Sequence, residues 1–172
     1  MGAGKILAII AGIVTILGTF VFALFGGTGL VGSGIGLILN IPDLLMDSAS
    51  IASGFGINII LYWVFVILFI IWLASGVLQL IGIKNRVVII IFSLFPLTLG
   101  LVFMLALYVP DIFGGTSGPL YVLFVLASIG EHYGNIFPFL VNLGDAALGV
   151  YLLIAGGVLG IISGILPRED FI

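Results

Sequence analysis

Two long, uncharged apolar runs flank the tripeptide Lys84-Asn85-Arg86, one covering residues 57–83 and the other 87–109. Each exceeds the roughly 20 helical residues needed to cross a hydrocarbon core about 30 Å thick. So short a link can only send the chain straight back, so the two runs must be antiparallel neighbours. The link also carries two of the four basic residues of the chain, which assigns it to the cytoplasmic side.

Composition agrees with a bilayer as solvent. Of 172 residues, 63% are hydrophobic and 6% charged, where a soluble domain carries about 25% charged residues. At this length one domain is expected, residues 1–172. There is no cysteine, which removes disulfides, thiol chemistry and cysteine metal sites. A net charge of −3 without a basic cluster offers no footprint for nucleic acid.

Two further spans complete the pattern. The first covers about residues 5–25; its apolar stretch is long for a signal-peptide core and is expected to be retained. Gly4, Ala8, Gly12, Thr15, Thr19 and Ala23 recur along it at spacings of three and four, a stripe of small side chains that lets another backbone approach closely. The last span covers about 146–166. Gly156, Gly160 and Gly164 form two overlapping GxxxG motifs, with Gly149 one heptad earlier. With the middle spans at 58–83 and 87–109, the expected fold is an all-α integral membrane protein, a tetraspan four-helix bundle. Two extracytoplasmic segments, 26–57 and 110–145, connect the spans and carry short interfacial helices.

Inside the spans, Gln79 is expected to bond between helices, and Pro96 to kink the third span and free a carbonyl that Ser93, Thr98 or a neighbouring helix satisfies. Tyr62 and Trp63 suit the outer interface. Trp72 lies about 13 Å deeper and is expected to pack between helices or against lipid.

In the first outer segment, Pro42 suits the first turn of a short helix, with Asp43 favoured there by the helix dipole. Leu44, Leu45, Ser48, Ile51 and Ala52 would form its apolar side. In the second, the apolar stretch 120–129 is too short to cross. It reads either as a re-entrant or interfacial helix opened by Pro119 or as a buried strand.

Lys5, Lys84, Arg86 and Arg168 fall on one side of this layout, and Asp43, Asp47, Asp111, Glu131 and Asp145 on the other. Both termini are therefore expected in the cytoplasm and both long segments outside. Phe25-Gly26-Gly27-Thr28 is echoed by Phe113-Gly114-Gly115-Thr116, and Ser75-Gly76 by Ser163-Gly164, which raises a duplication of parallel halves.

The layout resembles that of claudin-type tetraspan proteins: four helices, cytoplasmic ends, a tight inner turn and two outside segments. The Gly-Leu-Trp and paired-cysteine pattern of claudins is absent from residues 26–57.

Chemistry is sparse. No charged residue lies within a span, which argues against a pump or an ion-coupled carrier. Asp43, Asp47, Glu131 and His132 are the candidate metal ligands, set against the reading of carboxylates on a solvated face and a structural histidine. No spacing proposes a nucleophile and its base, so no enzyme activity and no cofactor are expected. The outer segments are unusually apolar for chain that emerges from lipid. Together these features point to a non-enzymatic structural membrane protein. It would self-associate laterally into a homo-oligomer through its small-residue helix faces and apolar outer segments, its partners being the lipid bilayer and copies of itself. The alternatives are an accessory subunit of a larger membrane complex, or a small channel or carrier for a neutral solute.

Overall fold

A computed structural model describes residues 2–27, 29–109, 111–112 and 114–167. Four of its helices are long and apolar enough to cross a membrane. The first, α1 (Ala3–Ile16), continues through a π-helical turn, Leu17–Val21. The others are α4 (Ile59–Ile81), with a 3₁₀ extension over Gly82–Lys84, α5 (Arg86–Tyr108) and α7 (Leu148–Ile165). They form a ring in which α1 packs on α4, α4 on α5, α5 on α7 and α7 on α1.

The turn between α4 and α5 closes as its sequence demands. Asn85 is the helix cap, its Oδ1 accepting from the amides of Val87 at 3.0 Å and Val88 at 3.4 Å. A Cβ on Gly82 would lie 2.8 Å from the Ile89 amide nitrogen, so the two chains cross there only because residue 82 has no side chain.

At the opposite end of the bundle lies a cap. Two strands, β1 (Phe25–Gly27) and β2 (Leu30–Gly32), form a hairpin, followed by α2 (Gly34–Met46) and α3 (Ser48–Gly54). Helix α6 (Pro119–Ser128) runs into β3 (Ile129–Glu131), and a second small sheet pairs β4 (Asn142–Leu143) with β5 (Ala146–Ala147). β3 adds antiparallel to β2, with Leu30 opposite Glu131 and Gly32 opposite Ile129. The three-stranded sheet therefore joins the two connecting segments to each other. The fold is mostly helical, but the expectation of an all-α protein is corrected by these sheets.

Boundaries shift for the same reason. The first span stops at Val21, not near residue 25. Beyond it the Ala23 amide donates to the Phe139 carbonyl at 3.0 Å and the Leu24 amide to that of Gly32 at 2.8 Å, so extended pairing outcompetes another helical turn. The last helix starts at Leu148 because Ala146 and Ala147 are held in β5.

Pro42 does not open a helix. Helix α2 begins eight residues earlier, at Gly34, where the Ser33 hydroxyl accepts from the Gly36 amide at 3.3 Å. Pro42 sits inside it and Asp43 near its C-terminal end. Helices α2 and α3 meet at an elbow bent by 96°. Of the expected apolar side, Leu44 and Ala52 are buried, whereas Leu45 faces outward. The stretch 120–129 is a helix with Pro119 at its first position, passing into a strand at Ile129.

The bundle's ends are chemically distinct. Lys5, Lys84 and Arg86 lie at the hairpin end, where the Gly4 amide donates to the Pro167 carbonyl at 3.1 Å. The cap carries Asp43, Asp47, Asp111, Glu131 and Asp145; Arg168 lies outside the described residues. The Phe-Gly-Gly-Thr echo is not structural. Gly26 and Gly27 are strand, whereas Gly114 is left-handed at φ 78° and leads into a 3₁₀ turn; Thr28 and Phe113 lie outside the described residues.

Candidate functional site

The small residues of the first and last spans face the chain's own helices. Gly4, Ala8, Gly12, Thr15, Thr19 and Ala23 are all buried. A Cβ on Gly149 would stand 2.5 Å from the Ala23 carbonyl oxygen, and one on Gly156 would strike the Thr15 hydroxyl. On the next face, Cβ atoms at Gly160 and Gly164 would meet Ser93 and Ile90 of α5, while one on Gly12 would meet Leu80 and the Gly76 carbonyl of α4. The close approach that these residues permit is thus used within one chain.

Where the helices meet, their polar side chains bond across the interior. The Thr15 hydroxyl donates to Gln79 Oε1 at 2.9 Å, and Gln79 Nε2 faces the Phe92 carbonyl at 3.5 Å. Pro96, four residues after Phe92, has no N–H to give that carbonyl, so a neighbouring helix supplies the donor. Ser93 bonds the Ile89 carbonyl and Ser163 that of Gly4. Thr15, Ser75, Gln79, Ser93 and Ser163 are completely buried. The cluster holds helices together.

Above it, α6 lays Phe124 against the middle of α4 and against α5. Phe124 lies 5.0 Å from Phe69, 5.4 Å from Trp72 and 5.3 Å from Phe103, ring centre to ring centre, each pair edge-on, a favoured aromatic geometry. Trp72 is thus buried between helices. Its indole Nε1 is one of three buried polar side-chain atoms without a partner among the described residues, with Thr19 Oγ1 and His132 Nε2. Below Leu120, a cavity of about 190 Å³ separates α4 from α5 and is walled by apolar side chains and Thr98.

The cap is held by residues that sequence reading missed. Asn40 on α2 directs its Nδ2 to the carbonyls of Ile129, Ala127 and Leu126 at 2.9, 3.0 and 3.4 Å, tying down the end of α6. The Ser33 amide donates to the Ser128 carbonyl at 3.0 Å, and the Tyr62 hydroxyl to that of Leu44 at 2.6 Å. A serine ahead of an apolar run was a readable helix signal. Asn40 gave none, because its partners stand almost ninety residues away.

The candidate metal ligands are divided between two places. Asp43 and Asp47 lie by the α2–α3 elbow, where the helix ends before Asp47; Glu131 and His132 lie at the end of β3. Among the described residues no three histidine, aspartate or glutamate side chains gather as a metal site requires.

Helix α2 is apolar on two sides. Leu37 and Leu44 are buried, whereas Ile38 (49% exposed), Leu39 (57%), Leu45 (44%) and Met46 (81%) are bare. Between α2, α3 and α6 lies a cleft of about 460 Å³ whose wall includes Asn40 and Asp43.

No family model matches the chain, and no match was found among curated proteins or solved structures. The functional reading therefore rests on the residues themselves.

Proposed function

We propose that this chain is a non-enzymatic structural membrane protein that assembles with further copies of itself in the plane of the membrane, both termini in the cytoplasm and the cap outside. The orientation follows from Lys5, Lys84 and Arg86 at the hairpin end, since basic residues favour the cytoplasmic side. The assembly rests on one observation, the bare outward face of α2. Large apolar side chains gathered on one outward face are normally covered, and Ile38, Leu39, Leu45 and Met46 are left bare by their own chain, which covers only the inner side of the helix. The small-residue faces play a different part, giving a rigid bundle that presents this ridge at a fixed angle.

The test is the mass of the particle extracted from native membranes in mild detergent. Wild type is expected as a multimer of this chain, and Leu39→Glu with Met46→Glu as a single chain with an unchanged melting temperature. A wild-type particle of one chain would refute the reading. Unrelated chains in fixed ratio would replace it with an accessory subunit of a larger complex.

A further inference from the structure

The cavity between α4 and α5 joins an apolar wall to one polar group that the fold leaves idle. Leu68, Phe69, Leu94, Leu99 and Val102 line it with hydrocarbon, and among the described residues no charged side chain borders it. Trp72 forms part of the same wall. Its side chain is 1% exposed, and Nε1 has no acceptor among the described residues. A buried N–H without an acceptor is costly enough that native structures nearly always supply one. Phe124, edge-on to the indole at 5.4 Å, offers at best a weak N–H···π contact.

Water is a poor occupant. Among the lining side chains it would find only the indole N–H and the Thr98 hydroxyl as polar partners, where a buried water typically makes about three hydrogen bonds. The volume of about 190 Å³ is instead that of a small-molecule site, since a dry apolar cavity of about 150 Å³ accommodates benzene. Leu68 and Leu94 belong both to this wall and to the exposed surface of the bundle, so a ligand can enter from the flank, between the two helices. Trp72 stands nine residues beyond Trp63, about 13 Å along α4. With the four helices spanning the bilayer as proposed above, the indole lies too deep for the ester carbonyls of lipids, which stay in the interfacial layer.

We propose that this cavity binds an uncharged, lipid-soluble carbonyl compound, whose oxygen accepts from Trp72 Nε1 and whose apolar body lies against Leu94, Leu99 and Val102. Only the exclusion of lipid esters rests on the membrane reading; the site itself depends on neither orientation nor assembly.

The experiment titrates the full chain in uncharged maltoside micelles with acetophenone and with ethylbenzene, which shares its shape but lacks the oxygen. NMR follows the indole N–H signals and, for binding curves, the leucine methyl groups. Trp63 and Trp72 are the two tryptophans of the chain, so Trp72→Phe assigns both indoles. Acetophenone is expected to move the Trp72 N–H proton downfield and leave that of Trp63 in place; ethylbenzene should move neither downfield. Trp72→Phe should weaken acetophenone binding about three- to tenfold, the worth of one hydrogen bond, and change ethylbenzene binding by less than about twofold. Comparing each probe across proteins cancels its partition into the micelle. Val102→Phe, which fills the cavity from its wall, should weaken both probes. Melting curves establish that each variant is folded, and if one is not, the other and the wild-type indole shift decide. Phosphatidylcholine added to the micelles should not displace acetophenone; displacement would make a lipid the occupant and overturn the proposal. So would no acetophenone binding by wild type, an unmoved Trp72 signal, or an acetophenone affinity that survives either substitution. None of these readouts involves the number of chains per particle, so the result stands apart from the test of assembly.

Discussion

Gln79 Nε2 lies 3.5 Å from the carbonyl oxygen of Phe92, the one carbonyl of α5 that Pro96 deprives of its helical donor. The same amide accepts from Thr15, so one side chain links α1, α4 and α5. Replacing Gln79 by Leu should cost about 1–3 kcal/mol, because it leaves a buried carbonyl and a buried hydroxyl unpaired. In a Pro96→Ala background the helix regains its own N–H donor and the cost should shrink. Unfolding free energies in detergent for the two single variants and the double variant check this, and additive costs would show that the two residues are not linked.

Gly149→Ala should lower stability by about 1–3 kcal/mol, since the new methyl meets the Ala23 carbonyl, and that extended segment is pinned by its hydrogen bonds to Phe139 and Gly149. The number of chains per particle should not change. Thermal unfolding and particle mass together separate this internal role from a contact between copies.

Phe124→Ala should cost about 3–5 kcal/mol by leaving a void among Phe69, Trp72 and Phe103. Tryptophan fluorescence would report it, because Trp72 loses its edge-on neighbour while Trp63, which packs on Tyr62, keeps its own.

Asn40→Ala should loosen the cap and spare the bundle. The exposed carbonyls at the end of α6 would then rely on water, and amide exchange should quicken over residues 30–32 and 129–131 with little change in α5 or α7.

Burial pushes the Tyr121 phenol above its ordinary value of 10.0. The folded protein therefore keeps a proton that the unfolded chain releases. This contribution to stability is complete below the unfolded value and declines as pH rises through the folded one. Melting temperatures from about pH 9 to 12 should fall less steeply in Tyr121→Phe than in wild type.

The spans were legible because length and hydropathy act locally, and so was the tight turn at Asn85. Gln79 and Pro96 each signalled a need for a partner, though not that they would meet through Phe92. The sheet was illegible for a physical reason. Its strands are short and rich in glycine, at 26, 27, 32 and 130, which argues against strand on propensity. The choice is made by pairing across about a hundred residues and by packing. A Cβ on Gly36 would strike the Ser128 carbonyl and one on Gly32 the Phe25 ring, so glycine there serves close approach. Pro42 misled because its commonest helical position is the first turn, whereas here Ser33 sets the start. Asn40 showed nothing in sequence, its role existing only once α6 is in place.

The pairing of β2 with β3 also dictates a timetable. Synthesis delivers Leu30, Val31 and Gly32 long before Ile129, Gly130 and Glu131 exist. Until three of the four long apolar helices have been made, the hairpin keeps an open strand edge, the kind of surface on which nascent chains stray. Maturation of the cap is thus a late event, and a chain stalled after α4 would present a hazard that the finished protein conceals.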